Sequence, residues 1–176
     1  MTEAPQFRRL LDTLENGGVE YIVIGGLAAI AHGSSMLTQD VDVVYRRTPE
    51  NAARLAAALA PLNPYLRGVP PGLPFQFDQE TILNGSNFTL TTDAGALDLL
   101  GYMTGGGEYE DLLPFSEPLL IQGRTHATLS LDALIKAKRA AGRTKDLQAI
   151  SILEALREEI ADEEEDGAGG SNLSRA

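Results

Sequence analysis

The stretch Tyr21–Tyr45, YIVIGGLAAIAHGSSMLTQDVDVVY, limits the fold of this chain more than any other. Four β-prone residues, Tyr21 to Ile24, run straight into Gly25-Gly26. An alanine-rich segment, polar turn residues and Asp40-Val41-Asp42-Val43-Val44 follow. That order reads as strand, tight turn, short helix, loop and strand. The two-residue period of a strand puts Asp40 and Asp42 on one face and the valines on the other. Two carboxylates sharing a face repel one another unless a cation sits between them.

A third acid extends the pattern. In Gly95-Ala96-Leu97-Asp98-Leu99-Leu100, Asp98 is the one charged residue of a run that otherwise reads as a central strand. An unpaired carboxylate there is costly, so a cation or hydrogen bonds must compensate it. If this strand lies beside Asp40–Tyr45, three hard oxygen ligands converge, a set that suits Mg²⁺. Two such ions can clamp the attacking and leaving oxygens of a phosphoryl-type displacement. Gly25 and Gly26, between a strand and a helix, lack a Cβ and let a triphosphate approach the backbone. Ser34 and Ser35 offer hydroxyl donors from the following loop. The pair is neither a dinucleotide fingerprint nor a P-loop, since neither G-x-G-x-x-G nor Gly-Lys-Ser/Thr is present.

The remaining chain reads as follows. Residues 3–16 form an amphipathic helix with Phe7, Leu10, Leu11 and Leu14 on one side. Thr48 caps a helix that runs from Pro49 to about Leu59. Residues 61–74, rich in Pro and Gly, read as a loop without regular structure and with a role in substrate access. Short β segments are expected at 80–83 and 87–92, and a helical turn at 109–113. A hairpin is expected around Gln122-Gly123-Arg124, then helices over 131–141 and from 144 to about 160. These elements make an α+β domain, a short mixed β-sheet with flanking helices and C-terminal helices. It occupies residues 1–160, with 161–176 as an acidic, solvated and disordered tail.

Composition narrows the chemistry. With no cysteine, thiol catalysis, disulfides and zinc–thiolate sites are excluded, and two histidines make a histidine-based metal site a poor fit. The net charge of -11 is concentrated in residues 158–166, which hold seven acids. Without those and Arg175 the body still has 18 acids against 13 bases, which argues against broad nonspecific binding to nucleic acid. No apolar run approaches the roughly 18 residues that span a membrane. The N-terminal residues MTEAPQFRRL have no hydrophobic signal core. The expectation is a cytoplasmic protein without a membrane partner.

Ile24-Gly25-Gly26, a spacer of thirteen residues and Asp40-Val41-Asp42-Val43 together resemble the signature of the DNA polymerase β-like nucleotidyltransferase superfamily. Asp98 matches its third, later carboxylate. The wording His32-Gly33 followed by Thr38-Gln39-Asp40-Val41-Asp42, and the run KAKRAAGRTKDLQAI, are most similar to a small bacterial group related to the AbiEii toxins. The resemblance spans roughly residues 5–160. It implies the nucleotidyltransferase fold and transfer of a nucleoside monophosphate from a triphosphate to a hydroxyl acceptor, whether tRNA, protein or a small molecule. It also brings in a toxin role with an antitoxin partner. Two Mg²⁺ ions would be held by Asp40, Asp42 and Asp98, with Gly25, Gly26 and Ser34 on the triphosphate. Asp98 would lower the acceptor hydroxyl's pKa and position it for in-line attack. Met36 departs from the pattern, since relatives often carry a basic residue near it and methionine cannot hold a phosphate.

Helical spacing adds two residues. At 100° per residue Lys138 points with Leu131 and Leu134 rather than with Lys136 and Arg139, and Asp146 lies on the side of Ile150 and Leu153. Lys138 would then face the triphosphate, with Asp146 orienting it or the base. The alternative function is a non-catalytic nucleotidyltransferase-like interaction or nucleotide-sensing module.

Overall fold

Backbone hydrogen bonds join β1 (Tyr21–Ile24) and β2 (Asp40–Tyr45) as an antiparallel pair, Val23 opposite Val43. This pair lies inside a seven-stranded sheet in the computed structural model, which describes residues 6–169. On one side β2 pairs in parallel with β5 (Gly95–Leu100). Antiparallel β4 (Phe88–Thr92) and the two-residue β3 (Tyr65–Leu66) follow beyond it. On the other side β1 pairs in parallel with β7 (Arg124–Leu129), which forms a hairpin with β6 (Ser116–Ile121). The hairpin turn is Gln122-Gly123, both at positive φ (52° and 90°), the conformation whose twist matches that of the flanking strands.

Helix α1 (Phe7–Asn16) buries Leu10, Leu11 and Leu14 and packs against α3 (Pro49–Leu59). The valines of β2 and Leu97 and Leu99 of β5 are fully buried in the same core. Each such side chain contributes roughly 1.5–3 kcal/mol. Helix α2 (Gly25–Ala31) begins where β1 stops. It contacts α6 (Leu131–Ala141), which lies against α7 (Thr144–Gly169). These three helices share a small second core of Ala29, Leu131, Ile135 and Leu153. The Ser130 hydroxyl accepts from the Ala133 N–H to start α6, and Gly142 ends it at φ 63°.

The α+β architecture, the mixed sheet and the C-terminal helices follow the sequence reading. Three local expectations are corrected. Residues 80–83 form no strand. They belong to α4 (Gln79–Asn84), because the Asp78 carboxylate accepts from the Thr81 N–H at 2.8 Å and caps a helical turn. The Pro- and Gly-rich stretch 61–74 is not without regular structure, since it holds β3 and part of a short 3-10 turn, Ala60–Leu62. Helix α7 continues past residue 160 to Gly169, its glutamates being good helix formers. Of the expected acidic tail, residues 170–176 lie outside the described residues, as do residues 3–5 of the expected first helix. The turn at 109–113 is α5 (Tyr109–Leu112). Among the described residues no helix is long and apolar enough to cross a membrane.

Candidate active site

Parallel pairing of β2 with β5 sets Asp42 opposite Asp98 in register and Asp40 opposite Ala96. Because residues paired in register share a face, and Asp40 precedes Asp42 by two, all three carboxylates emerge on one side. Each offers an oxygen within 4.8 Å of the others, and each residue is half-buried. Burial first, then the charges of Asp40 and Asp98 and a hydrogen bond with Asp98, push the Asp42 carboxyl from 3.8 up to about 7. Three hard oxygen donors this close together form a set that fits Mg²⁺ or a similar divalent ion.

The glycine pair closes over the acids. Gly25 has φ 65°, and a Cβ there would run into the Asp42 carboxylate. A Cβ on Gly26 would come within 2.8 Å of the Thr38 hydroxyl oxygen. That hydroxyl donates to the Asp40 carbonyl at 3.2 Å and lies 3.4 Å from its carboxylate. Both glycines are therefore required by close approach, to the Asp42 carboxylate in one case and to the Thr38 side chain in the other.

A cavity of about 490 Å³ opens beside this corner, its lining including Gly25, Gly26, Asp42 and Asp98 from the strands and the strand–helix junction, and Lys138 and Arg143, a basic wall from α6 and the turn after it. A more open groove of about 620 Å³ along α1 shares no residue with it. The basic wall depends on Asp146, which is buried at 2% exposure. Its carboxylate accepts from Arg143 Nε at 2.7 Å and lies 3.6 Å from Lys138 Nζ. The Arg143 hydrogen bond, ahead of the charges of Arg143 and Lys138, holds the Asp146 carboxyl below the ordinary range. Asp146 thus stands behind the two cations and is absent from the cavity lining.

Among the residues singled out in the sequence, Asp42, Asp98, Gly25, Gly26 and Lys138 line one cavity, and Asp40 joins them through the carboxylate cluster. Ser34 is elsewhere. Its hydroxyl accepts from the Met36 N–H at 3.2 Å and it is not part of the lining. His32 bonds the Leu129 carbonyl at 2.9 Å, a helix-end contact. Arg46 is committed to Glu20 and Glu110, and Arg47 donates to the Gly85 carbonyl.

Sequence reasoning missed two residues. Arg143 sits in the turn between α6 and α7. Its only signal was the basic residue ahead of the Lys145-Asp146 pair. Arg67, just past β3, donates to Asp98 at 2.8 Å and lies 3.8 Å from Asp40. Nothing in its Pro- and Gly-rich surroundings marked it.

The fold is similar to that of solved antibiotic-modifying proteins. The solution structure of the antibiotic-resistance factor ANT(2'')-Ia has 15% identity, coverage of 93% of this chain and 94% of that one, and a TM-score of 0.56. For ANT(2'')-Ia in complex with adenylyl-2''-tobramycin the values are 16%, 89%, 95% and 0.53. For the lincomycin-bound lincosamide antibiotic adenylyltransferase LnuA they are 14%, 86%, 96% and 0.56. No protein-family description and no curated protein matches the sequence. What the chain has in common with these enzymes is the nucleotidyltransferase fold.

Proposed function

We propose that this protein is a metal-dependent nucleotidyltransferase that moves a nucleoside monophosphate from a nucleoside triphosphate to a hydroxyl acceptor. The observation that carries the reading is the in-register pairing of Asp42 with Asp98, which gathers three carboxylates on one face beside a cavity that Lys138 and Arg143 also line. Similarity of fold to adenylyltransferases supports it.

Asp40, Asp42 and Asp98 would hold Mg²⁺. When bound, such ions neutralise the charge that develops on the attacking and leaving oxygens. Gly25 and Gly26 leave room for the triphosphate against the backbone. Lys138 and Arg143, steadied by Asp146, draw the triphosphate toward the basic wall and balance the charge of the departing pyrophosphate. Asp98 orients the acceptor hydroxyl and takes its proton as the oxygen attacks the α-phosphorus. A new O–P bond forms and the bond from the α-phosphorus to pyrophosphate breaks.

The acceptor is a hydroxyl on a small molecule, a tRNA or a protein. A small hydroxylated molecule is favoured by the antibiotic acceptors of the neighbours in fold and by the acidic body, which repels polyanions. A toxin with an antitoxin partner is the reading in which the acceptor is macromolecular. Incubation with α-labelled nucleoside triphosphates, Mg²⁺ and separate pools of cellular RNA, protein and metabolites tests the proposal. Label should move to one pool with wild type and to none with Asp98→Asn. Equal transfer by that variant would overturn the three-acid scheme, whereas no transfer to any pool and no Mg²⁺-dependent binding of any nucleoside triphosphate by wild type would replace the enzyme with the interaction or sensing module.

A further inference from the structure

The position and pairing of Arg67 have a consequence for the carboxylate cluster. Its backbone N–H donates to the Thr89 carbonyl at 3.0 Å. Thr89 is paired with Asp98, and Asp98 with Asp42. Arg67 therefore begins a row that crosses the sheet to the acids, and its side chain runs back along that row. One terminal nitrogen donates to Asp98 and to the Leu90 carbonyl, each at 2.8 Å, and the other lies 3.8 Å from Asp40. A single guanidinium thus meets two of the three carboxylates. Its Nε is buried and has no hydrogen-bond partner, so this pose leaves one donor unsatisfied.

Building on the nucleotidyltransferase reading, we propose that Arg67 is a built-in counterion of the carboxylate cluster that competes with the divalent cation for Asp98 and Asp40 and must give up those contacts when the cation enters. A guanidinium and a divalent ion draw on the same oxygen lone pairs, so both cannot hold Asp98 fully. Two electrostatic effects act in one direction. Arg67 neutralises the acids that attract the cation, and its own positive charge repels it. The protein alone then binds metal weakly. A triphosphate, arriving with its own charge, offers the released guanidinium a new partner.

The test is titration of the full chain with Mn²⁺ alone, free ion being followed by electron paramagnetic resonance. A neighbouring charge shifts carboxylate equilibria by roughly one to three powers of ten. Arg67→Met is accordingly expected to bind Mn²⁺ about tenfold or more tightly than wild type, with Arg67→Lys between them. In chelator, Arg67→Met should also unfold at a lower temperature than wild type at pH 8, and Mn²⁺ should raise its midpoint by more. Should Arg67→Met fail to fold, tighter Mn²⁺ binding by Arg67→Lys carries the same meaning. Equal or weaker binding by the variants, with Mn²⁺-dependent nucleotide binding kept in wild type, overturns the competition and leaves the enzyme reading standing. Absence of Mn²⁺ binding in all three proteins overturns both.

Discussion

Asp42 and Asp98 face each other across the parallel ladder of β2 and β5, so two acids that are 56 positions apart in the chain occupy neighbouring places on one face. Replacing Asp98 by Asn keeps the shape and removes the charge proposed to receive the acceptor proton. Nucleotidyl transfer should fall by roughly 10²–10⁴-fold, with the circular dichroism spectrum unchanged. Initial rates with labelled triphosphate measure this.

The raised Asp42 carboxyl gives a pH signature with a defined sign. In the metal-free fold it titrates at about 7, against 3.8 as the ordinary value. Between those values the folded state holds a proton that the unfolded chain has lost. Its contribution to stability is therefore present at low pH and is lost as pH rises toward 7. Subtracting the melting curve of Asp42→Asn from that of wild type, in chelator, should isolate this fall. Mg²⁺ needs the ionised carboxylate, so the midpoint increase it produces should be larger at pH 8 than at pH 5.5.

Asp146 has the opposite sign, because its carboxyl is held low by Arg143. Its contribution is complete above the ordinary aspartate range and is lost as pH falls through the depressed folded value. Asp146→Ala leaves Lys138 and Arg143 without their common partner and should cost roughly 1–3 kcal/mol of stability. The same change should raise KM for the triphosphate more than it lowers kcat, as steady-state kinetics on the folded fraction would show.

Gly25→Ala tests the close approach at the strand–helix junction. Left-handed backbone costs an L-residue roughly 1–2 kcal/mol, and the new methyl group would meet the Asp42 carboxylate. Activity and divalent-ion affinity should both fall, and further than in Gly26→Ala, whose nearest neighbour is the Thr38 side chain. Denaturant titration and Mn²⁺ binding on the two variants give the comparison.

The acids, the glycine pair and Lys138 were legible because each breaks a local pattern. A carboxylate interrupts a buried run, two glycines stand where side chains belong, and a lysine lies on an apolar stripe. The ends of α6 were legible too, since Ser130 and Gly142 are strong start and stop residues. Arg67 was hidden for a physical reason. Its partner Asp98 is 31 positions away, and its place is set by sheet pairing rather than by any nearby periodicity. Arg143 lies in a turn, where no periodicity applies. In 80–83 the run Thr81-Ile82-Leu83 is β-prone, whereas in the fold the cap at Asp78 decides.

Two different kinds of cohesion hold the two walls of the cavity. The acidic wall hangs on the backbone ladder at the middle of the sheet, while the basic wall hangs on helices joined at Gly142 and seated on a core of four buried side chains. Amide exchange should therefore be slowest at Val43 and Leu99 and faster along α6 and α7. Warming the protein would then loosen the proposed grip on phosphate while the carboxylates still kept their spacing, so the nucleotide affinity expected of this site should decline well before the sheet melts.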